Sequence, residues 1–418
     1  MSQRTTTSHQ LSNGMTVLCE QMPAVQSAAL SILFPGGAAF DPFHQSGLSS
    51  MVCEMMMRGA GDWDSRALTN RMDSLGLQHS EGVGYFHQSY SGATVASQLE
   101  ASLELYATIL RQPRFEESEF EPSLASCLQT VIGNQDDPRQ RLMSELKSRS
   151  YPMPFGNPTD GTIDGLKQIT LADVKSHYQQ VANPGQMVLA VAGNVQSDEV
   201  VEYCERYFGD WTATDRLSID QGGWTRGYHH IEEQTTQTHI ALAYPSVVYS
   251  HPDYYAAWAM TSILSGGMSS RLFTRVREEK GLCYAISASL NTTRDVSRVL
   301  CYAGTTTERA QETLDSTLVE LRQIDQGITD DELNRCKARA KSTLIMQQDS
   351  SMARSGSLAR DWYALDRIVP IEEIRSRIEA LTTEQVASYA QRYPAEEMTV
   401  VTLGKEALQV AESSSAAS

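Results

Sequence analysis

The chain has 418 residues, too many for one hydrophobic core, and its 41% hydrophobic and 20% charged residues are those of an ordinary globular protein. A formal net charge of −17 argues against nucleic acid or an anionic membrane surface as a partner. No apolar run approaches the ~20 residues needed to span a bilayer, so no membrane insertion is expected.

Met1 to Gln10 is polar and has no apolar stretch of the kind a signal peptide carries. The seven cysteines (19, 53, 127, 204, 283, 301 and 336) are scattered, odd in number and without C-x-x-C spacing. That is the usage of a reducing compartment, and a cytoplasmic protein is expected. Residues 47–61 predict a helix, with Leu48, Met51, Val52 and Met55 at i, i+3, i+4 and i+7 forming a buried stripe. Ser50, Cys53 and Glu54 share another face. A nucleophilic thiol at Cys53 would need a positioned base, and none is visible nearby, so Cys53 reads as a packing residue. Helices are predicted over Glu119 to Ile132 and Gln140 to Ser148, with Asp136-Asp137-Pro138 as the break.

Thr212 to Gly227, polar and containing Gly222-Gly223, reads as a linker. His229-His230-Ile231-Glu232-Glu233 opens a Thr-rich alternating stretch running to Tyr244. It reads as a strand whose neighbouring side chains point to opposite faces, not as a metal site. His44 has no partner at helical spacing. Ser270 to Lys280 has helical character, Gly281 suits a left-handed C-terminal cap, and Cys283 to Leu290 alternates like a strand. Thr329-x-x-Glu332 is a capping box ahead of a long helix to about Gln348. The Ser- and Ala-rich tail, residues 410–418, is expected to be disordered.

The two halves look like copies. Gln26 to Ile32 matches Gln237 to Ala243 at an offset of 211 (237 minus 26), and Thr170 to Val174 matches Thr382 to Val386 at 212 (382 minus 170). Each of the second pair precedes an apolar strand closing on glycine, Met187 to Gly193 and Met398 to Gly404. The expected organisation is therefore α+β, with homologous domains at 1–211 and 228–409 joined by a linker at 212–227.

Segment 47–61 also resembles the active-site helix of the insulinase/pitrilysin family, the inverzincins, which reads roughly Gly-Leu-Ala-His-Phe-Leu-Glu-His-Met-x-Phe-Lys-Gly and holds zinc through H-x-x-E-H. Aligned on Gly47, Leu48, Met55, Arg58 and Gly59, the histidine positions fall on Ser50 and Glu54 and the general-base glutamate on Cys53. Counting back from Pro138, the family's third ligand falls on Thr130. Two hydroxyls and one carboxylate are a poor zinc set, so no zinc site is expected in this chain. The resemblance extends through Gly36-Gly37 to Asp41-Pro42, Gln112 to Phe115, Asn157 to Gly165, Ala192 to Val195 and Gly266 to Leu272. It implies two similar domains, each a mostly antiparallel sheet covered by helices, facing each other around a chamber. The size class is the short-chain one that includes mitochondrial processing peptidase and bacterial two-subunit peptidases.

Arg277 to Tyr284 matches the family's arginine–tyrosine pair, which steadies a substrate carbonyl near the scissile bond. Taken alone, Arg277 and Lys280 are charges complementing a helix dipole and Tyr284 is a strand aromatic. The resemblance implies a zinc-less subunit of a heterodimer, with zinc and H-x-x-E-H in a homologous partner and an unfolded peptide as substrate, bound extended along a sheet edge. Gly266, Gly267 and Met268 read either as a loop touching that peptide or as a plain turn. The alternatives are a structural core subunit that has lost peptidase work and a homodimeric peptide-binding chamber.

Overall fold

The computed structural model describes residues 5–214, 219, 222–223 and 226–410. Most of the expected disordered tail and much of the expected linker lie outside them. In chain order the first half contains β1 (Thr5–Gln10), β2 (Thr16–Gln21), β3 (Ser27–Pro35), α1 (Leu48–Met56), β4 (Gly59–Ala60), β5 (Trp63–Asp64), α2 (Ser65–Ser74), β6 (Gln78–Val83) and β7 (His87–Val95). It continues with α3 (Leu99–Arg111), α4 (Glu117–Asp136), α5 (Pro138–Ser150), α6 (Ile163–Leu166), α7 (Leu171–Val181), β8 (Val188–Gly193) and α8 (Ser197–Phe208). The second half opens with β9 (Gly227–Glu232), β10 (Gln237–Pro245), α9 (Tyr254–Ser265), a π-helix (Leu272–Glu279), β11 (Ala285–Thr292) and β12 (Ser297–Thr306). It closes with α10 (Ala310–Arg322), α11 (Asp330–Gln348), α12 (Ser351–Leu365), α13 (Ile371–Glu379), α14 (Thr383–Arg392) and β13 (Thr399–Gly404).

Both halves build one topology. The first sheet runs β1-β2-β8-β3-β7-β6 and the second β11-β12-β10-β13-β9, so five strands correspond in order. The parallel pair also corresponds, β2 with β8 and β9 with β13, and the remaining ladders are antiparallel. Capping boxes open α7 at Thr170–Asp173 and α14 at Thr382–Gln385. The fold is α+β and duplicated.

Two details differ from the sequence reading. Residues 229–244 form two strands, not one: β9 lies at a sheet edge beside β13, and β10 lies inside the sheet. The match of β3 to β10 also shifts by one residue. Leu30, Ile32 and Phe34 enter one core and Ile240, Leu242 and Tyr244 the other, an offset of 210 (240 minus 30). A shift of one residue exchanges the faces of a strand, so burial fixes the register that residue similarity left one place out.

The chain forms two compact units that are not contiguous in sequence. The first comprises Met1–Gly133, Asn157–Gln221 and Ile345–Val369; the second comprises Asn134–Gly156, Gly222–Leu344 and Pro370–Ser418. Helix α12, from the second half, thus belongs to the first unit, and α5, from the first half, belongs to the second.

In the first unit, one face of the sheet packs under α1, α3, α7 and α8. The other face presents Leu18, Leu33, Val188 and Ala190 to Leu358 and Ala359 of α12. Strand β3 is buried on both sides, which is why its sequence is a near-continuous apolar run. Arg354 on α12 reaches Glu20 on β2 with nitrogen–oxygen distances of 2.6 and 2.9 Å, both side chains being buried. In the second unit α5 packs on β10 and β13. Arg141 pairs with Glu233 at 2.6 Å, and Arg298 donates to the Ser150 carbonyl at 2.9 Å. Asp137 caps α5 through Arg139 and Gln140, with Pro138 at its first turn, as the Asp-Asp-Pro break predicts.

Replacing Arg354 by Ala leaves the Glu20 carboxylate buried without its cation. A loss of about 3–5 kcal/mol is expected in urea unfolding, with most of it recovered by the apolar pair Glu20→Leu and Arg354→Met.

Candidate functional site

Helix α1 starts from Gly47, whose left-handed backbone (φ 107°) leaves no room for a side chain: a Cβ would lie 2.7 Å from Leu166. Asp41, from the preceding turn, supplies the cap. Its carboxylate accepts from the Gly47 and Ser49 amides, each at 2.9 Å, and from the Ser49 hydroxyl at 2.5 Å. With its hydrogen spent on Asp41, the Ser49 hydroxyl can accept from His177 Nε2, 3.3 Å away. Burial pushes Asp41 up to about 6, against the pull of these bonds, and drives His177 down to about 4. The serine, histidine and aspartate resemble a triad only in composition. All three are buried, and the serine donates to the carboxylate instead of to the imidazole.

The polar face of α1 is engaged residue by residue. Ser50 Oγ donates to the Thr159 carbonyl at 2.8 Å. Glu54 is held by Arg58, one turn on, through Nη2 at 2.6 Å and Nε at 3.0 Å; Arg58 also faces Glu119 of α4 at 3.5 Å. The Cys53 thiol is buried, and desolvation pushes it up to about 12, which keeps it protonated. Thr130 is exposed on α4 and donates back to the Ser126 carbonyl of its own helix at 3.2 Å.

Two residues that sequence reasoning did not single out lie near this face. Cys127 is pushed up to about 12 by burial, with Glu54 adding to the rise. Glu81 on the edge strand β6 is raised mainly by burial, with Glu54 adding and His79, 2.9 Å away, opposing. Their proximity depends on how α1 and α4 pack on the sheet, which no local spacing reveals.

These donors do not fit zinc. Neutral hydroxyls are weak zinc ligands, the one carboxylate is paired with a guanidinium, and the Cys53 thiol is buried. Among the described residues no group of three or more His, Cys, Asp or Glu is placed to hold a metal ion. His229 and His230 lie on the edge strand β9, where His230 Nδ1 meets Thr402 Oγ1 at 2.9 Å and His229 Nδ1 lies 3.2 Å from Arg149. His44 sits in the turn Phe43–Gln45.

The second candidate centre is the segment around Arg277. The structure makes Leu272–Glu279 a π-helix, wider than the ordinary helix expected there. It is pinned at both ends. Arg271, buried, donates to both oxygens of Glu332 at 2.7 and 3.0 Å and to the carbonyls of Gln326 and Gly327. The guanidinium and the Thr329 amide overcome the effect of burial and bring Glu332 down to about 2. At the far end Gly281 takes the left-handed conformation (φ 59°), its carbonyl accepts from Arg309, and Lys280 donates to Ser316 at 3.0 Å. Tyr284 follows, its amide bonding the Gly304 carbonyl at 3.0 Å, so the phenol stands at the start of the edge strand β11.

Both predicted side chains face solvent, Arg277 being 40% and Tyr284 66% exposed. Burial raises the Cys283 thiol to about 11 against an opposing pull from Arg277, so the guanidinium lies near the residue preceding Tyr284. Gly266 caps α9, Gly267 (φ 154°) accepts from Ser270, and Met268 is 79% exposed.

A family model described as Insulinase (Peptidase family M16) matches residues 16–162, and one described as Peptidase M16 inactive domain matches residues 168–340. The chain belongs to peptidase family M16, the insulinase family. An uncharacterized zinc protease of Rickettsia felis is 25% identical to this M16 chain over 384 residues, covering 91% of it and 93% of the relative. Another, from Bacillus subtilis, is 24% identical over 389 residues, covering 91% and 93%. Among solved structures, one described as a peptidase M16 inactive domain from Pseudomonas fluorescens has a TM-score of 0.88 at 21% identity, covering 98% of this chain and all of that one. A protease from Helicobacter pylori has a TM-score of 0.87 at 20% identity, covering 96% and 100%. At such identities these structures show the fold alone. Among the described residues no helix of the M16 chain is long and apolar enough to cross a membrane.

The Asp41–Ser49–His177 cluster predicts opposing pH dependences. Asp41, raised, adds stability below pH 3.8 that is lost as pH rises through about 6. His177, lowered, adds stability above pH 6.5 that is lost as pH falls through about 4. The two nearly cancel between these limits in the natural chain. His177→Gln should therefore gain about 2–3 kcal/mol relative to the natural protein as pH falls from 7 to 4.5. Thermal denaturation of both proteins across that range checks the sign.

Proposed function

We propose that this chain is the metal-free subunit of a two-subunit zinc peptidase of the M16 family and acts on unfolded peptides. The observation that carries the reading is a contrast in one molecule. The α1 face matching the family's zinc ligands is engaged by other protein groups, whereas Tyr284 is exposed and Arg277 partly exposed on a segment anchored at both ends. A homologous partner bearing H-x-x-E-H supplies the zinc. This chain supplies a guanidinium and a phenol, both hydrogen-bond donors suited to a peptide carbonyl oxygen as negative charge builds on it.

The peptide binds extended, its backbone completing a sheet edge, and the Gly266–Met268 turn, with Met268 exposed, contacts it. Seven buried, unbridged cysteines fit a cytoplasmic setting. A formal net charge of −17 argues against a nucleic-acid partner.

Co-expression with a homologous H-x-x-E-H chain, followed by assay on a quenched fluorescent peptide, tests the reading. Activity should require both chains and zinc, and Arg277→Ala should lower kcat about 10- to 100-fold, with Tyr284→Phe about tenfold. Equal cleavage by either chain alone overturns the heterodimer, and no cleavage by the pair favours a structural subunit. In a separate titration, the isolated chain should take up no stoichiometric zinc at micromolar metal; uptake abolished by Glu54→Gln would refute the metal-free assignment.

A further inference from the structure

Arg277 lacks the carboxylate clamp that its neighbours have. Arg271 is bidentate to Glu332, and Arg275 pairs with Glu320 at 2.8 Å. The acid facing Arg277 is Glu278, 3.7 Å from Nε and beyond hydrogen-bond reach. Its guanidinium carbon instead lies 4.6 Å from the centroid of the Phe273 ring, four residues earlier in the π-helix. That difference matters chemically. A salt bridge uses the N–H donors at the edge of the guanidinium plane, whereas stacking on a ring uses the face and leaves the donors free.

We infer that Phe273 is a positioning residue for Arg277, a ring platform that orients the guanidinium while keeping its donors available to a peptide substrate. The inference rests on the reading of Arg277 as a substrate-binding group. An unsupported arginine carries about 2 kcal/mol of rotamer entropy, part of which must be lost on each encounter with substrate. The platform lowers that cost before substrate arrives. It is itself held, because Phe273 lies two residues after Arg271, whose four hydrogen bonds anchor the start of the π-helix. Phe273 is partly exposed and does not line either of the two large described cores.

The test is a double-mutant cycle in the reconstituted two-chain peptidase, with a quenched fluorescent peptide as probe and kcat and KM measured separately. Phe273→Leu should lower kcat/KM about two- to fivefold, the range of an exposed cation–π contact. The melting temperature should stay within a degree or two of the natural protein. Phe273→Tyr, which keeps the ring face, should restore the natural value. In an Arg277→Ala background, Phe273→Leu should have no further effect. If Arg277→Ala lowers activity but Phe273→Leu does not, or if the Phe273→Leu effect persists without Arg277, the platform is refuted and the role of Arg277 stands. If Arg277→Ala itself changes nothing, the reading of the site fails first and the platform with it.

Discussion

Each sheet in this protein has two buried faces, and the covering of the second face is the constraint on which the rest depends. A strand such as β3, buried on both sides, cannot remain in a sheet with one face in water. The chain meets this demand by exchange: α12 of the second half covers the first sheet, and α5 of the first half contacts the second. Neither half in isolation contains the layer that its own sheet requires. Duplication has thus produced two units that are alike in topology but complete only when the whole chain is present. The buried Glu20–Arg354 pair shows the consequence, since a charge on β2 in the first 25 residues finds its counter-ion more than 300 residues later.

The same separation of roles operates on a smaller scale within α1. Its apolar stripe, its left-handed Gly47 and its Asp41 cap determine that the helix forms and where it packs. Its polar face determines what chemistry it can do. These determinants lie on different sides of one helix, so the second set can change without disturbing the first. Ser50 ties the helix to the 157–165 segment, and Glu54 is one arm of an ion pair.

Much of this was legible in the sequence, for identifiable reasons. The α1 stripe, the Asp137–Pro138 break and the capping box at Thr329 are local signals, each complete within a few residues, whereas the boxes at Thr170 and Thr382 show in the sequence only as a repeated pair. Duplication could be read because two matches shared nearly one offset. The one-residue error in β3 against β10 arose where small residues look alike and only burial separates the faces. The helix exchange was illegible, because nothing local to α5 or α12 says which sheet it will cover. The division into linker-separated halves followed the chain, whereas compactness follows contacts across it. Glu81 and Cys127 escaped notice for the same reason, as did the π-helical form of Leu272–Glu279, which is pinned by partners between about 30 and 60 residues downstream.

Family membership and family chemistry therefore have different physical carriers. Membership lies in the sheet order, the caps and the apolar faces, which tolerate substitution at exposed polar positions. Chemistry lies in a few side chains whose free donors and acceptors must remain unspent. In α1 Glu54 is paired with Arg58 and Ser50 donates to the Thr159 carbonyl, and on α4 Thr130 donates to the Ser126 carbonyl. Arg277 stands against a ring with Glu278 3.7 Å away, and Tyr284 stands at an exposed edge. An arginine seated on a ring and faced by a carboxylate only beyond hydrogen-bond reach keeps its donors available in a way that a two-oxygen clamp such as Arg271–Glu332 does not.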